Sequence, residues 1–280
     1  MKIVSTFPEL IKALDEINRP LGFVPTMGYL HDGHLSLVRV AKEQNESVVV
    51  SIFTNPAQFA QGEDLDNYPK DIDRDLKLLG EEGADLVWMP STGDMYPEGY
   101  QTWVEVEELT GLLEGRFRPT HFRGVTTVVA KLFNALRPEQ AYFGQKDAQQ
   151  AAVIKQMVRD LNYSIEIVIC PIIRENDGLA MSSRNSYLTD PERKAALCLM
   201  RGLNAARKAY LEGENDAENL RKVIRKEIDR ERIARVQYIS CAHPDTLEEL
   251  NGDVVSCLLS LSVFIGSTRL IDNIQLPVKG

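Results

Sequence analysis

Apolar and polar residues alternate with two different periods along the first 170 residues. Short apolar runs, of which 48–53 is rich in β-branched residues, are separated by stretches in which apolar residues recur every three or four positions. The short runs predict strands that are covered on both faces, and the amphipathic stretches predict the helices that cover them. The expected strands are 21–26, 48–53, 84–89, 141–143 and 165–170, and the expected helices are 34–41, 71–82, 125–136 and 148–161. This order predicts a Rossmann-like, doubly wound parallel α/β sheet.

The pattern changes after this last strand. Residues 174–178 are typical of a turn, and long amphipathic stretches follow them. These stretches predict helices at 192–211 and 216–230 and then strands at 235–240, 254–264 and 269–271. We therefore expect a first domain of residues 1–175 and a smaller α+β C-terminal domain, residues 176–280, that acts as a lid.

Composition and charge exclude several classes of protein. With 280 residues, 44% of them hydrophobic, the chain can bury a sizeable core. It has 32 Lys and Arg against 41 Asp and Glu, a net charge of -9, which argues against a broad basic face for nucleic acid. The apolar runs are much shorter than the roughly 20 residues that cross a bilayer, and the first residues lack the pattern of a signal peptide. We expect a cytoplasmic protein that binds neither nucleic acid nor membranes.

The first candidate for chemistry lies where the strand 21–26 gives way to a helix. Residues 27–34 read Met-Gly-Tyr-Leu-His-Asp-Gly-His. Glycine lets a backbone approach a ligand closely, and exposed amides at a helix start favour phosphate. His31 and His34, three positions apart, can share one helix face, so the segment predicts a nucleotide triphosphate site. The structural alternative is that one imidazole caps the helix while the other packs. With no cysteine or third histidine nearby, no metal site is predicted.

Two later segments suit phosphate as well. Residues 181–185, Met-Ser-Ser-Arg-Asn, combine hydroxyls with a guanidinium, although Ser-Ser-Arg is also common in ordinary loops. Gly144, Lys146 and Asp147 come where a strand ends and a helix begins, the place where open α/β sheets bind ligands. Lys146 would meet phosphate and Asp147 would accept ribose hydroxyls. The alternative is a capping aspartate beside a solvated lysine.

The two phosphate motifs resemble the His-x-Gly-His and Lys-Met-Ser-Lys-Ser signatures of the nucleotidyltransferase superfamily that includes class I aminoacyl-tRNA synthetases. Arg184 stands in place of the last lysine. Taken with further segments in the same order and spacing, the chain resembles the pantothenate synthetase (pantoate–β-alanine ligase) family. The segments are 25–28, 53–59, 68–69, 121–125, 143–150 and 177–185.

This resemblance implies a reaction. The family condenses (R)-pantoate with β-alanine, using ATP, through an enzyme-bound pantoyl adenylate, and releases AMP and pyrophosphate. It also implies a homodimer, and Mg²⁺ is expected with the ATP. No protein ligand of Mg²⁺ is assigned, since the acidic segment 71–75 is more simply the charged first turn of a helix.

The resemblance also implies roles for individual residues. His34 would be the proton donor, and His31, His34 and Lys146 would stabilise phosphate charge. Gln58 and Gln150 would hold the hydroxyl and carboxylate of pantoate, although by residue type either could be an exposed surface position. The residues expected to bind ATP are Met27, Gly28, Tyr29, Leu30, His31, Asp32, Gly33, His34, Gly144, Gln145, Lys146, Asp147, Ile173, Met181, Ser182, Ser183 and Arg184.

The chain departs from the family pattern at Ala57, Gln145 and Ala148, which replace a usual methionine, glutamate and aromatic residue. None of these changes removes a group with an expected chemical role. His121 and Arg123 receive no catalytic role, and Arg118 is a candidate for a substrate or lid contact.

Two other functions remain open at this point. One is a nucleotidylyltransferase that joins a nucleotide to a phosphate acceptor, which would need an acceptor site for phosphate rather than the two glutamines. The other is a noncatalytic sensor that binds ATP and controls a partner.

Overall fold

The computed structural model describes residues 1–60 and 62–278. The chain divides into two compact units. The first comprises Met1–Gln145 and Gln150–Pro171, and the second comprises Lys146–Gln149 and the chain from Ile172 onward. The sequence predicts the boundary later, at residue 175, because residues 174–178 are typical of a turn-rich connection. In the structure this segment belongs to a hairpin of the second unit, in which Arg174 pairs with Ala180.

The first unit is built on a parallel sheet. Within the described residues, six strands form it in the order β1-β4-β3-β2-β5-β6, and every neighbouring pair is parallel. The predicted parallel α/β sheet is therefore confirmed. Helices lie on both of its faces, so β3 is buried at all six positions. The strands are β1 Lys2–Val4, β2 Leu21–Thr26, β3 Ser47–Ile52, β4 Leu86–Trp88, β5 Gln140–Gly144 and β6 Glu166–Cys170.

The helices of residues 1–171 differ in how clearly the spacing of apolar residues in the sequence predicts them. The long helix α7 packs its apolar side against the sheet beside Phe23 and Phe143, and its sequence pattern is strong. Short helices of four or five residues, α4 to α6, carry too few turns to show a period. The helices are α1 Phe7–Leu14, α2 Asp32–Gln44, α3 Ile72–Glu81, α4 Thr92–Met95, α5 Glu107–Thr110, α6 Leu113–Phe117, α7 His121–Leu136 and α8 Ala148–Asp160.

The second unit is α+β, as expected. An antiparallel sheet in the order β7-β8-β9 packs against helices around its own apolar core. The predicted helix 192–211 is wrong in one respect, because it is interrupted at Leu197 and forms two helices. The elements are α9 Asp190–Ala196, α10 Cys198–Leu211, α11 Ala217–Ile228, β7 Ala234–Ala242, β8 Cys257–Ile265 and β9 Thr268–Leu276. In residues 1–60 and 62–278, no helix has the length and apolar character needed to cross a membrane.

Candidate active site

The loop from β2 to α2 carries the first predicted motif. Thr26 ends β2, and its hydroxyl accepts a hydrogen bond from the Gly28 amide (3.3 Å). Gly28 and Tyr29 both have positive φ angles, +84° and +51°, so the chain turns sharply before α2. A Cβ at Gly28 would lie 3.1 Å from Ile52, which adds a packing reason for glycine to its backbone conformation.

Asp75, on α3, anchors this loop. Its carboxylate accepts the Tyr29 amide at Oδ2 (2.6 Å) and the Leu30 amide at Oδ1 (2.7 Å). The residue is fully buried, and burial raises the pKa of Asp75 although the two amide bonds act in the opposite direction. In the sequence, Asp75 shows only as part of the charged first turn of a helix. That reading misses its role, since the contact joins segments far apart in the chain.

His31 and His34 lie together at the start of α2. His31 occupies the N-cap position, and its amide donates to Nδ1 of His34 (3.3 Å). The two ring centroids are 4.0 Å apart. Because Nδ1 of His34 accepts a hydrogen bond, the neutral ring carries its proton on Nε2. His34 can therefore present an Nε2–H donor to a ligand while it stays uncharged.

Gln58 lies in a buried turn, not on the surface. The turn follows β3 and forms a short 3-10 helix, Pro56–Gln58. Asn55 donates from Nδ2 to the Gln58 Oε1 and to the Gly124 carbonyl, each at 3.1 Å. The Gln58 Nε2 donates to Sδ of Met27 (2.9 Å), which belongs to the loop described above. The structure thus brings the predicted pantoate residue Gln58 against a predicted ATP residue.

The backbone of Gln58 is held as firmly as its side chain. Nδ1 of His121 lies 2.8 Å from the Gln58 carbonyl, and Nη2 of Arg118 donates to the same oxygen (3.3 Å). Arg118 also donates to both Glu63 oxygens, each at 2.6 Å. Burial, with the charge of Arg118 as a second cause, lowers the pKa of His121 to about 4. A neutral His121 donates from Nδ1, so it supports Gln58 through hydrogen bonding.

Helix α7 approaches this turn very closely. A Cβ on Gly124 would lie 2.3 Å from the Ala57 carbonyl oxygen and 2.6 Å from the Gln58 amide nitrogen. Only glycine fits such a distance without a backbone shift. The phenol of Tyr96 donates to Oδ1 of Asn55 (2.8 Å) from another side. Packing and neutral hydrogen bonds therefore fix most of the turn, and Arg118 adds one charged donor at the Gln58 carbonyl.

The segment after β5 carries Lys146 and Asp147. It forms a short 3-10 helix, Gln145–Asp147, before α8. The Lys146 Nζ lies 3.9 Å from Oδ2 of Asp147, and the lysine side chain is only 20% exposed, which does not suit a fully solvated lysine. Asn273, on β9, donates to the Lys146 carbonyl (2.9 Å). Gln150 is half-buried on α8 in the first unit.

The remaining predicted ATP residues lie in a hairpin of the second unit. The Met181 amide donates to the Ile173 carbonyl (3.0 Å), so these two predicted residues face each other. Gly178 forms the tip with a φ of +95°. The Ser182 hydroxyl accepts the Arg184 amide (3.3 Å) at the start of the 3-10 helix Ser183–Tyr187. Ser182 therefore also caps local structure.

The sequence gives no supporting role to the residues that hold these segments in place. They act through tertiary contacts, and they are Asn55, Asp75, Tyr96, Asp272 and Asn273. Within the described ranges, no group of three His, Cys, Asp or Glu side chains could hold a metal ion.

Comparisons with known proteins match nearly the whole chain to one family. The family described as pantoate-beta-alanine ligase matches residues 2–275. Pantothenate synthetase of Thermoanaerobacter pseudethanolicus is 55% identical over 271 residues, 97% of this chain and 96% of the relative. That of Acetivibrio thermocellus is 51% identical over 281 residues, 99% of this chain and 100% of the relative.

Solved structures extend the match to the fold. Pantothenate synthetase from Thermus thermophilus has a TM-score of 0.94 at 45% identity, and the match covers 98% of this chain and 99% of that one. Pantoate-beta-alanine ligase from Francisella tularensis, complexed with beta-gamma ATP and beta-alanine, has a TM-score of 0.79 at 35% identity. The match covers 98% of this chain and 97% of the Francisella chain. The chain therefore belongs to the pantoate–β-alanine ligase family.

Proposed function

We propose that this chain uses ATP to condense (R)-pantoate with β-alanine through a pantoyl adenylate, and that it releases AMP and pyrophosphate. Membership of the family supports the overall reaction, and the Francisella relative is described with an ATP compound and β-alanine. The single observation that carries the proposal is the contact between the Gln58 amide and Met27. It joins a group suited to a small hydroxy acid to the loop that we assign to ATP.

The first step forms a bond between a pantoate carboxylate oxygen and the α-phosphorus of ATP. The bond from that phosphorus to the bridging oxygen breaks, and pyrophosphate leaves. Gln58 and Gln150 hold the hydroxyl and carboxylate of pantoate. Their amides are neutral and both donate and accept, so they orient the carboxylate while lowering its nucleophilicity less than a cation would.

His34 stabilises the charge that develops on the phosphates. Its Nε2–H is fixed as a donor, because the His31 amide already occupies Nδ1. An imidazolium would have to give up that hydrogen bond, which favours donation from the neutral ring over proton transfer. A donor held in place before the reaction stabilises developing charge without reorganisation. His31 and Lys146 act with it as further phosphate donors.

In the second step the neutral amine of β-alanine attacks the carbonyl of the adenylate. A carbon–nitrogen bond forms, the bond between the acyl carbon and the phosphate oxygen breaks, AMP leaves, and the proton lost by the amine passes to the departing phosphate or to solvent. We assign the nucleotide to residues 27–34, 144–147 and 181–184 together with Ile173. Excluding water from the adenylate protects it from hydrolysis.

Mg²⁺ enters this scheme with ATP. Because the described residues offer no group of three side chains suited to a metal ion, we propose that the ion is held chiefly by the phosphates. Bound there, it would neutralise part of the phosphate charge. We also propose a cytoplasmic homodimer, which rests on the family resemblance and on the use of ATP.

The test is release of pyrophosphate in single-turnover reactions with ATP and pantoate, with and without β-alanine. We expect release to require pantoate, and pantothenate to form only when β-alanine is added. His34→Ala and Lys146→Ala should chiefly slow adenylate formation, and Gln150→Ala should raise KM for pantoate more than KM for ATP. Lys208→Ala, at an exposed helix position, serves as the control.

Two results would contradict the proposal. A nucleotide-linked product on a phosphate acceptor would indicate a nucleotidylyltransferase. Tight ATP binding without pyrophosphate release from any acid would indicate a sensor. Unchanged single-turnover rates in His34→Ala and Lys146→Ala would remove the roles given to those residues.

A further inference from the structure

Two adjacent residues of β9 contact both nucleotide segments of the second unit. Asp272 and Asn273 are each only 3% exposed, although both are polar. Oδ2 and Oδ1 of Asp272 accept hydrogen bonds from the two terminal nitrogens of Arg174, at 2.7 and 2.9 Å. Asn273 donates from Nδ2 to the Lys146 carbonyl at 2.9 Å. Neither residue belongs to a motif that sequence analysis singles out.

Arg174 connects Asp272 to the hairpin, because it belongs to the hairpin and its guanidinium binds the Asp272 carboxylate. It lies next to Ile173 and pairs across the hairpin with Ala180. Its guanidinium also donates to the Gly178 carbonyl at the tip (3.1 Å). One buried ion pair therefore ties one strand of the hairpin, and its tip, to the sheet. A bidentate pair of this kind fixes orientation as well as distance.

Asn273 holds the segment Lys146–Gln149 through a hydrogen bond to the backbone of that segment. The bond goes to the carbonyl of Lys146, so it leaves the lysine ammonium available for a ligand. It is a contact between the short segment Lys146–Gln149 and the rest of the second unit. Successive residues of a strand point to opposite faces, so neighbouring positions on one strand can serve two different segments.

We propose that Asp272 and Asn273 are positioning residues for ATP. Asp272 sets the place of the hairpin that carries Ile173 and Met181, and Asn273 sets the place of Lys146. The single strand β9 then fixes the spacing between the two groups of nucleotide contacts. This inference rests on the proposed roles of Lys146 and of residues 181–184 in binding ATP.

The main test is Asn273→Ala, which removes the buried hydrogen bond to the Lys146 carbonyl and no charge. We expect the Kd for a nonhydrolysable ATP analogue with Mg²⁺, measured by calorimetry, to rise about tenfold. KM for ATP should rise with it, while KM for pantoate stays within about twofold. Glu249→Gln is the control in the same unit for the change at Asp272, because Glu249, like Asp272, accepts from a guanidinium and a backbone amide but contacts neither segment.

Asp272→Asn tests the ion pair and should weaken ATP binding by about tenfold or more. If it fails to fold, the double variant Arg174→Gln with Asp272→Asn removes both charges and keeps hydrogen-bonding groups. That variant should fold and should still bind ATP less tightly than the wild type, because an amide pair lacks the fixed fork of the original.

The outcomes separate this inference from the proposed function. If Lys146→Ala and Arg184→Ala weaken ATP binding and the β9 variants do not, the inference is wrong and the proposed nucleotide contacts stand. If Lys146→Ala and Arg184→Ala leave ATP affinity unchanged, the proposed contacts fail and the inference falls with them. Equal rises in KM for ATP and pantoate, or the same losses in Glu249→Gln, would reduce Asp272 and Asn273 to structural residues.

Discussion

The turn Asn55–Gln58 and the hairpin Ile173–Met181 both carry proposed binding residues, but they are held in different ways. In the turn the side chain of Asn55 is satisfied by neutral groups: the Gln58 side chain, the Gly124 and Ala57 backbones, and the Tyr96 phenol. Asn55 is 1% exposed, so water does not compete for these bonds. The position of this turn depends mainly on shape.

The hairpin depends on charge. Arg174 pairs with the buried Asp272, and Arg193 donates to Glu175 (2.6 Å) and Asp177 (2.8 Å) on the outer side. Burial raises the pKa of Asp177, but the Leu179 amide and Arg193 outweigh it and the net shift is downward. The comparison shows that one protein can fix a binding turn by close packing and a second one by ion pairs. The two should therefore respond differently to substitution, pH and salt.

The largest expected effect tests the packed turn. Gly124→Ala places a methyl group 2.3 Å from the Ala57 carbonyl oxygen, so α7 or the turn must move. We expect a loss of about 3 kcal/mol in the free energy of unfolding and a larger rise in KM for pantoate than for ATP. Gly80→Ala, whose nearest atom is a flexible Met1 methyl at 3.8 Å, is the control and should be nearly neutral. Equal behaviour of the two variants would contradict the role given to close packing.

The next effect concerns pH at the same turn. The pKa of His121 falls to about 4 in the folded state, below its usual value of about 6.5, so the unfolded chain binds the proton more tightly. Stability should therefore fall as pH drops through this window, by up to about 3 kcal/mol, and the loss should be complete below pH 4. His121→Asn keeps a donor near Nδ1 but cannot titrate. Urea unfolding from pH 7 to 4 should show a shallower slope in the variant, and an unchanged slope would show that other groups cause it.

A smaller effect is expected at the loop before α2. Asp75→Asn leaves an NH₂ group facing one of the two backbone amides, so only one of the bonds from Tyr29 and Leu30 survives. We expect KM for ATP to rise about tenfold, since a lost buried hydrogen bond costs about 1 kcal/mol or more. Asp73→Asn, exposed on the same helix, should leave KM unchanged. If both variants behave alike, the loop does not need the anchor.

The smallest expected effect is that of salt, which should weaken the hairpin but not the turn. Raising NaCl from 0.1 to 1 M shortens the screening length from about 10 to about 3 Å. The partly exposed pairs of Arg193 should weaken by less than about 1 kcal/mol, and amide hydrogen exchange at residues 175–179 should quicken. Exchange at 55–58 should not change. Arg193→Ala should quicken exchange in the hairpin at low salt and remove the response to salt.

Sequence predicts some parts of this protein well for a physical reason. The β-branched run at β3 needs cover on both faces, and the residues of the run itself show this need. The glycines and histidines of residues 27–34 likewise mark the sharp turn from β2 into α2, which the structure contains, and phosphate binding there stays a prediction. Resemblance to a family adds Gln58 and Gln150, whose residue type alone is ambiguous.

Other parts depend on contacts that no local pattern reveals. Asp75 looks like any acidic residue near a helix start, and it is distinguished only by the two amides that the fold brings to it. Asn273 lies beyond the predicted strand 269–271, and the sequence alone does not place it in β9. The break at Leu197 also escapes the pattern, since the apolar spacing continues through it.

The assignment of Lys146–Gln149 to the second unit has a consequence for dissecting the protein. The polypeptide passes from one unit to the other at 145/146, returns at 149/150 and crosses again at 171/172. A fragment truncated after Pro171 keeps Lys146 but loses β9, whose Asn273 donates a hydrogen bond to the Lys146 carbonyl. We therefore expect that cutting the chain at a single point does not give two fragments that each contain one complete unit.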